Sequence, residues 1–80
     1  MPRAPTLHRS RVASARELLA LNVIRLRGNL GWSQETLGFE AGLHRTFIAH
    51  VERQARNISF DNIERIAMAL GVRVHELLAQ

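Results

Sequence analysis

Apolar positions along this chain follow a helical period and are interrupted at intervals by serine and glycine. Leu19, Val23, Leu26 and Leu30 recur at three- and four-residue spacing and predict a first helix over about 14–29. Leu18, Leu21 and Ile24 widen its apolar face beyond a single stripe. Ser14 followed by Glu17 forms a capping box at the start of this helix, and Gly28 and Gly31 lie at its end. Ser33 can cap a second helix, with Leu37 and Ala41 one turn apart on its inner face and Gly42 as its stop. A third helix opens at Leu43 or His44 and runs to about Arg53, with Phe47, Ile48 and Val51 at its apolar positions. Residues 53–58 have no clear period and read as a loop. Ser59 caps a fourth helix, in which Ile63, Ile66, Ala67 and Leu70 form one stripe. Gly71 ends it, and Val74, Leu77 and Leu78 mark a short fifth. No segment alternates apolar and polar residues for long enough to make a strand, so the expected class is all-α.

The spacing inside the second and third helices is the most informative feature. Counted from Gln34, Leu37 is apolar at the fourth place, and Gly38 is small at the fifth, where two crossing helices must approach closely. Ala41 is small at the eighth, and Gly42 stands at the ninth, where a sharp turn in a left-handed conformation suits glycine. Leu43 plugs the core at the tenth, and Ile48 and Val51 face inward at the fifteenth and eighteenth. Two short helices joined in this way form a helix-turn-helix, whose second helix can enter the DNA major groove. A plain αα-hairpin is the simpler structure that shares part of this pattern.

Charge and composition add a partner and remove several alternatives. The 80 residues make one domain and carry 11 basic against 7 acidic side chains, a net charge of +4. All the basic residues are arginine, whose planar fork of donors suits phosphates and guanine edges, although codon bias in a GC-rich genome would give the same composition. There is no cysteine, so neither a disulfide framework nor a thiolate metal site is available. No apolar run approaches the ~20 residues needed to span a bilayer, and no secretory signal is evident, so a cytoplasmic, nucleoid-associated protein is expected. Residues 1–12 hold two prolines and three arginines and read as a flexible basic arm, with residues 13–80 as the folded domain. The arm is either a plain tail or a contact to the minor groove or phosphates.

At this point the chain resembles the Cro/repressor-type, Xre-like helix-turn-helix regulators. The residues that carry the likeness are Arg25-Leu26-Arg27, Gly31 to Leu37, Ala41-Gly42, Val51-Glu52-Arg53 and Ile66 to Val72. Residues 44–48 together with 51–59 are most similar to the controller proteins of restriction–modification systems. The resemblance implies a compact five-helix lambda-repressor-like domain. It further implies a homodimer on double-stranded DNA at a pseudo-palindromic operator, and it leaves room for RNA polymerase as a partner. Arg27 and Glu52 occupy positions that form an internal ion pair in such relatives, and a bidentate pair of this kind tolerates partial burial.

Each outward residue of the third helix then acquires an expected role. Arg45 can pair bidentately with guanine, Thr46 can offer its hydroxyl or methyl, Ala49 permits close approach, and His50 can reach a base edge. Ser33, Gln34, His44, Arg53, Arg56 and Asn57 are expected at the DNA backbone, with His44 equally suited to cap its helix. Trp32 either packs over the junction of the first two helices or stands near phosphate. Gln54 replaces a glycine common in relatives, and because glutamine disfavours positive φ the loop is expected to take another path. Phe60, Val72, Val74, Leu77 and Leu78 are expected to form the dimer surface, with some of them needed for the core.

Catalysis would require convergent acid, base or nucleophilic groups in a cleft, and the chain offers neither the spacing nor the length. His44 and His50 are six residues apart and fall on different helix faces. No enzyme activity, cofactor, metal, membrane contact or small-molecule ligand is therefore expected. The competing reading is an antitoxin-type or protein-interaction module that keeps a DNA-reading domain.

Overall fold

The computed structural model describes residues 13–55 and 57–80. Five helices account for most of them: α1 (Ala15–Asn29), α2 (Gln34–Ala41), α3 (Arg45–Glu52), α4 (Phe60–Leu70) and α5 (Val74–Leu77). No strand occurs among the described residues. The expected basic arm at residues 1–12, and Arg56, lie outside them.

The helix starts follow from short polar side chains. Ser14, Ser33 and Ser59 each accept a hydrogen bond from the backbone N–H three residues on, at 3.1, 3.0 and 3.2 Å. Glu17 completes the capping box by accepting from the Ser14 N–H. His44 caps α3 with its Nδ1, which accepts from the Thr46 N–H at 3.0 Å. Each cap satisfies one of the orphan donors at a helix start and contributes about 1 kcal/mol.

The ends of α1 to α4 share one device. The N–H groups of the two residues past the end reach back to carbonyls of the last turn, in the Schellman pattern. After α2, Gly42 takes φ +71° and Leu43 N–H bonds the Gly38 carbonyl at 2.8 Å. After α3 the left-handed position is filled by Gln54 at φ +59°. Its N–H bonds the Val51 carbonyl at 3.0 Å, and the Ala55 N–H bonds the His50 carbonyl at 2.9 Å. The expectation that glutamine would divert this loop is thus overturned, because two backbone bonds hold the glycine-like path against the side chain's steric cost. That cost is about 1 kcal/mol for a residue with a Cβ. Gln54→Gly is expected to raise stability by up to about 0.5 kcal/mol after glycine's greater unfolded-state entropy is counted. A higher urea midpoint at unchanged slope checks it.

The core gathers one face from each helix. Val23, Leu37, Ile48, Ile66 and Leu77 are fully buried, with Leu19, Ala20, Ala41, Val51, Ala67 and Leu70 around them. Burying one such large aliphatic side chain contributes roughly 2 kcal/mol. Leu43 and Phe47 pack against this core from the turn and from α3, and Trp32 covers it beside the α1–α2 junction. Leu30, expected on the inner stripe, is half exposed because the chain leaves the helix axis there. Leu21 and Ile24 remain on the outer face of α1.

Candidate nucleic-acid interface

The geometry of the site is set by how α3 sits on α2. The two helices are joined through Gly42, Leu43 and His44, and Gly38 of α2 lies against the turn. Ile48 and Val51 turn one side of α3 into the core. Helical spacing then places Thr46, Ala49 and Arg53 away from that side, and Arg45 stands at the N-terminal edge of the helix. Arg45, Thr46 and Arg53 are exposed, whereas Ala49 and His50 are half-buried. The exposed face therefore begins at the N-terminal end of α3 with an arginine and a threonine and closes at its C-terminal end with a second arginine.

The acidic residue at the end of α3 is turned away from this face. Glu52 Oε2 accepts from Arg27 Nε at 2.7 Å and Glu52 Oε1 accepts from Arg27 Nη2 at 3.0 Å, a bidentate pair. The two side chains are 20% and 6% exposed. Arg27 Nη1 also donates to the Trp32 carbonyl at 3.0 Å, which joins α1, the start of α2 and the end of α3. A third donor completes the arrangement: Gln34 Nε2 reaches Glu52 Oε1 at 2.8 Å. The hydrogen bond to Glu52 holds the Arg27 guanidinium above its ordinary pKa, with the Glu52 charge adding to it and burial opposing. A raised arginine pKa stabilises the fold at every pH below the ordinary value and loses that contribution only above the raised one. The lock therefore persists from neutral to strongly alkaline solution on the arginine side.

The residues expected at the interface thus fall into three groups. Arg45, Thr46, Ala49, His50 and Arg53 share α3 and its cap, and Ser33 caps the neighbouring helix. His44 and Gln34, both expected at the DNA backbone, carry internal bonds: His44 caps α3, and the Gln34 amide holds Glu52. Asn57 lies apart, its Oδ1 accepting from Arg16 Nη2 of α1 at 2.6 Å. Arg45 has a partner the sequence did not suggest, Glu35 of α2 at 3.7 Å, both side chains being well exposed. An exposed pair of this kind contributes little to stability and exchanges readily for another anion.

The dimer expectation needs one correction. Leu77 is fully buried inside the subunit, where it packs beneath α1, and a second copy has no access to it. Phe60 is exposed, and Val72, Val74 and Leu78 are half-buried at the edge of the core.

A helix-turn-helix family profile matches residues 23–77, more than half of the chain. The chain belongs to the helix-turn-helix family. It is 49% identical over 63 residues to a hypothetical transcription factor of Neisseria meningitidis serogroup B, a match covering 79% of this chain and 59% of that protein. It is 59% identical over 46 residues to the control protein C.BamHI of Bacillus amyloliquefaciens, covering 58% of this chain and 57% of that one. The chain thus spans under two thirds of the length of these curated relatives. Among solved structures, the restriction-modification controller protein C.AhdI of Aeromonas hydrophila superposes with a TM-score of 0.74 at 40% identity, over 78% of this chain and 94% of that one.

Proposed function

We propose that this helix-turn-helix protein is a sequence-specific, double-stranded-DNA-binding transcriptional regulator of the restriction–modification controller type. It acts as a homodimer on a pseudo-palindromic operator. The observation that carries the reading is the exposed face of α3, Arg45 and Thr46 foremost, held on a frame in which the nearest buried acid is neutralised by Arg27 and hydrogen-bonded by Gln34. A helix so held can lie in the major groove with its N-terminal residues at base edges. The names of the relatives support the regulatory class.

The roles divide as follows. Arg45 leaves Glu35 and pairs with guanine, Thr46 contacts an adjacent base or phosphate, and Ala49 and His50 border the same groove. Arg53 and Arg56, with the N-terminal ends of α2 and α3 at Ser33 and His44, hold phosphates. Phe60, Val72, Val74 and Leu78 meet their counterparts in a second copy, which sets two reading helices about one DNA turn apart. The protein works in the cytoplasm at promoters, with RNA polymerase as its further partner. No described helix is long and apolar enough to cross a membrane.

Selection of bound sequences from a random duplex pool, followed by footprinting, tests this reading. Arg45→Ala is expected to lose about 1–3 kcal/mol at one position per half-site and to relax base preference there. Arg53→Ala is expected to weaken binding to all sequences alike and to lower the salt slope by about one. Unchanged base preference in Arg45→Ala would remove α3 as the reading helix. A restriction nuclease and methyltransferase encoded beside this chain would support the controller assignment, and a neighbouring toxin gene would oppose it.

A further inference from the structure

Asn22 is a buried polar residue of α1, 8% exposed, and it takes no part in the α1–α2–α3 frame. Its Nδ2 donates to two carbonyls, those of Leu77 and Ala79, each at 2.8 Å. Its Oδ1 accepts from Arg25 Nη2 at 3.2 Å, so both donors and the acceptor are used. The two carbonyls bracket Leu78. Leu77 ends α5 and Ala79 lies two residues past it; α5 is four residues long and cannot hold a helical turn by itself. The Val74, Leu77 and Leu78 side chains pack on the core, and the Asn22 amide ties the backbone at the end of α5 to α1. Apolar side chains set depth but tolerate rotation, whereas two hydrogen bonds to backbone carbonyls two residues apart fix register.

We propose that Asn22 is a positioning residue for self-association: its amide clamps the end of the chain so that Val74 and Leu78 are presented in one fixed orientation to a second copy. The proposal rests on the dimer surface assigned above. Asn22 does not touch the partner. It acts through α5, and Arg25 keeps the amide turned so that its donors, and not its oxygen, face the carbonyls.

Asn22→Asp in the full chain is the test. The carboxylate has the same shape but only accepts, so two hydrogen bonds become contacts between oxygens. Asn22→Leu, which removes the donors without adding charge, guards against loss of folding in the first variant. Sedimentation equilibrium is expected to show dimer association weakened about tenfold or more, from the loss of one buried and one part-buried hydrogen bond. Hydrogen exchange is expected to rise at the amides of 76–79 while α1 to α4 keep their protection. Ile48→Val, which loosens the core at α3 and leaves the Asn22 bonds in place, is expected to lower stability without changing dimer dissociation. Parallel loss of protection in every helix would make Asn22 an ordinary structural residue and overturn the proposal. So would a wild-type dimer that neither variant weakens. A wild-type chain that sediments as a monomer at every concentration would instead overturn the dimer surface itself, and this role with it.

Discussion

Glu52→Ala is expected to cost about 3 kcal/mol of stability and to abolish specific DNA binding, even though Glu52 touches no DNA in the proposed complex. The substitution leaves the Arg27 guanidinium largely buried with two of its N–H groups unpaired, and it frees the Gln34 amide. An uncompensated buried charge is far more costly than the absence of the pair. For a domain of this size the loss is a large fraction of the total, so the melting temperature should fall by more than about 10 °C. The double variant Arg27→Met/Glu52→Leu removes both charges and is expected to recover most of that stability, because an apolar pair of similar volume replaces the ionic one. It should recover DNA binding less well, since the three-way joint between α1, α2 and the end of α3 is lost. Urea titration separates the first effect and band-shift titration the second. Equal recovery of both quantities would show that the pair contributes stability alone and does not set the angle of α3.

The joint also shows what can be read from a sequence and what cannot. The helix boundaries are legible because their signals are local: Ser14, Ser33 and Ser59 bond their own helices within three residues, and the glycine that follows α2 has nothing else to do. The outward face of α3 is legible for the same reason, since Ile48 and Val51 fix which side is inward. Arg27 and Glu52 are 25 residues apart, and their pairing enters only through the resemblance to a family. The third member, Gln34, has no local signal at all. It follows from the need of a buried carboxylate for more than one donor, and that need becomes visible only when the neighbours of Glu52 are known. Leu77 and Leu78 are adjacent and equally apolar, yet one is fully buried and the other half-exposed, a distinction set by a single turn of helix that periodicity cannot phase. Gln54 illustrates the opposite case: its intrinsic preference is legible, but the backbone bonds from Gln54 and Ala55 outweigh it.

The same substitution at two glycines is expected to give opposite results. Gly38→Ala should destabilise the protein by about 2 kcal/mol and weaken operator binding, whereas Gly28→Ala should stabilise it by about 0.5–1 kcal/mol and leave binding unchanged. Both residues lie within helices, so alanine gains helix propensity at each, worth up to about 1 kcal/mol. The difference is what the added Cβ would meet. At Gly28 there is nothing within 4 Å. At Gly38 the Cβ would stand 2.6 Å from the Leu43 carbonyl oxygen, 3.2 Å from the Arg45 nitrogen and 3.4 Å from the Arg45 Cα. All three are backbone atoms, and none can swing aside as a side chain would. The turn is also tied to the residue that would push it, because the Leu43 N–H bonds the Gly38 carbonyl. Relief must therefore come from moving the turn, and Arg45, the first residue of α3, moves with it. Overpacking of this kind costs roughly 1–3 kcal/mol, and a contact this short belongs at the upper end, which outweighs the propensity gain. The displacement falls on the end of α3 that is proposed to read bases, so affinity for the selected operator should drop more than affinity for random duplex. Paired denaturation curves and competition band-shifts for the two variants decide the matter. Stabilisation by both would mean that the α2–α3 turn yields without cost and that close approach at Gly38 does not set the position of α3.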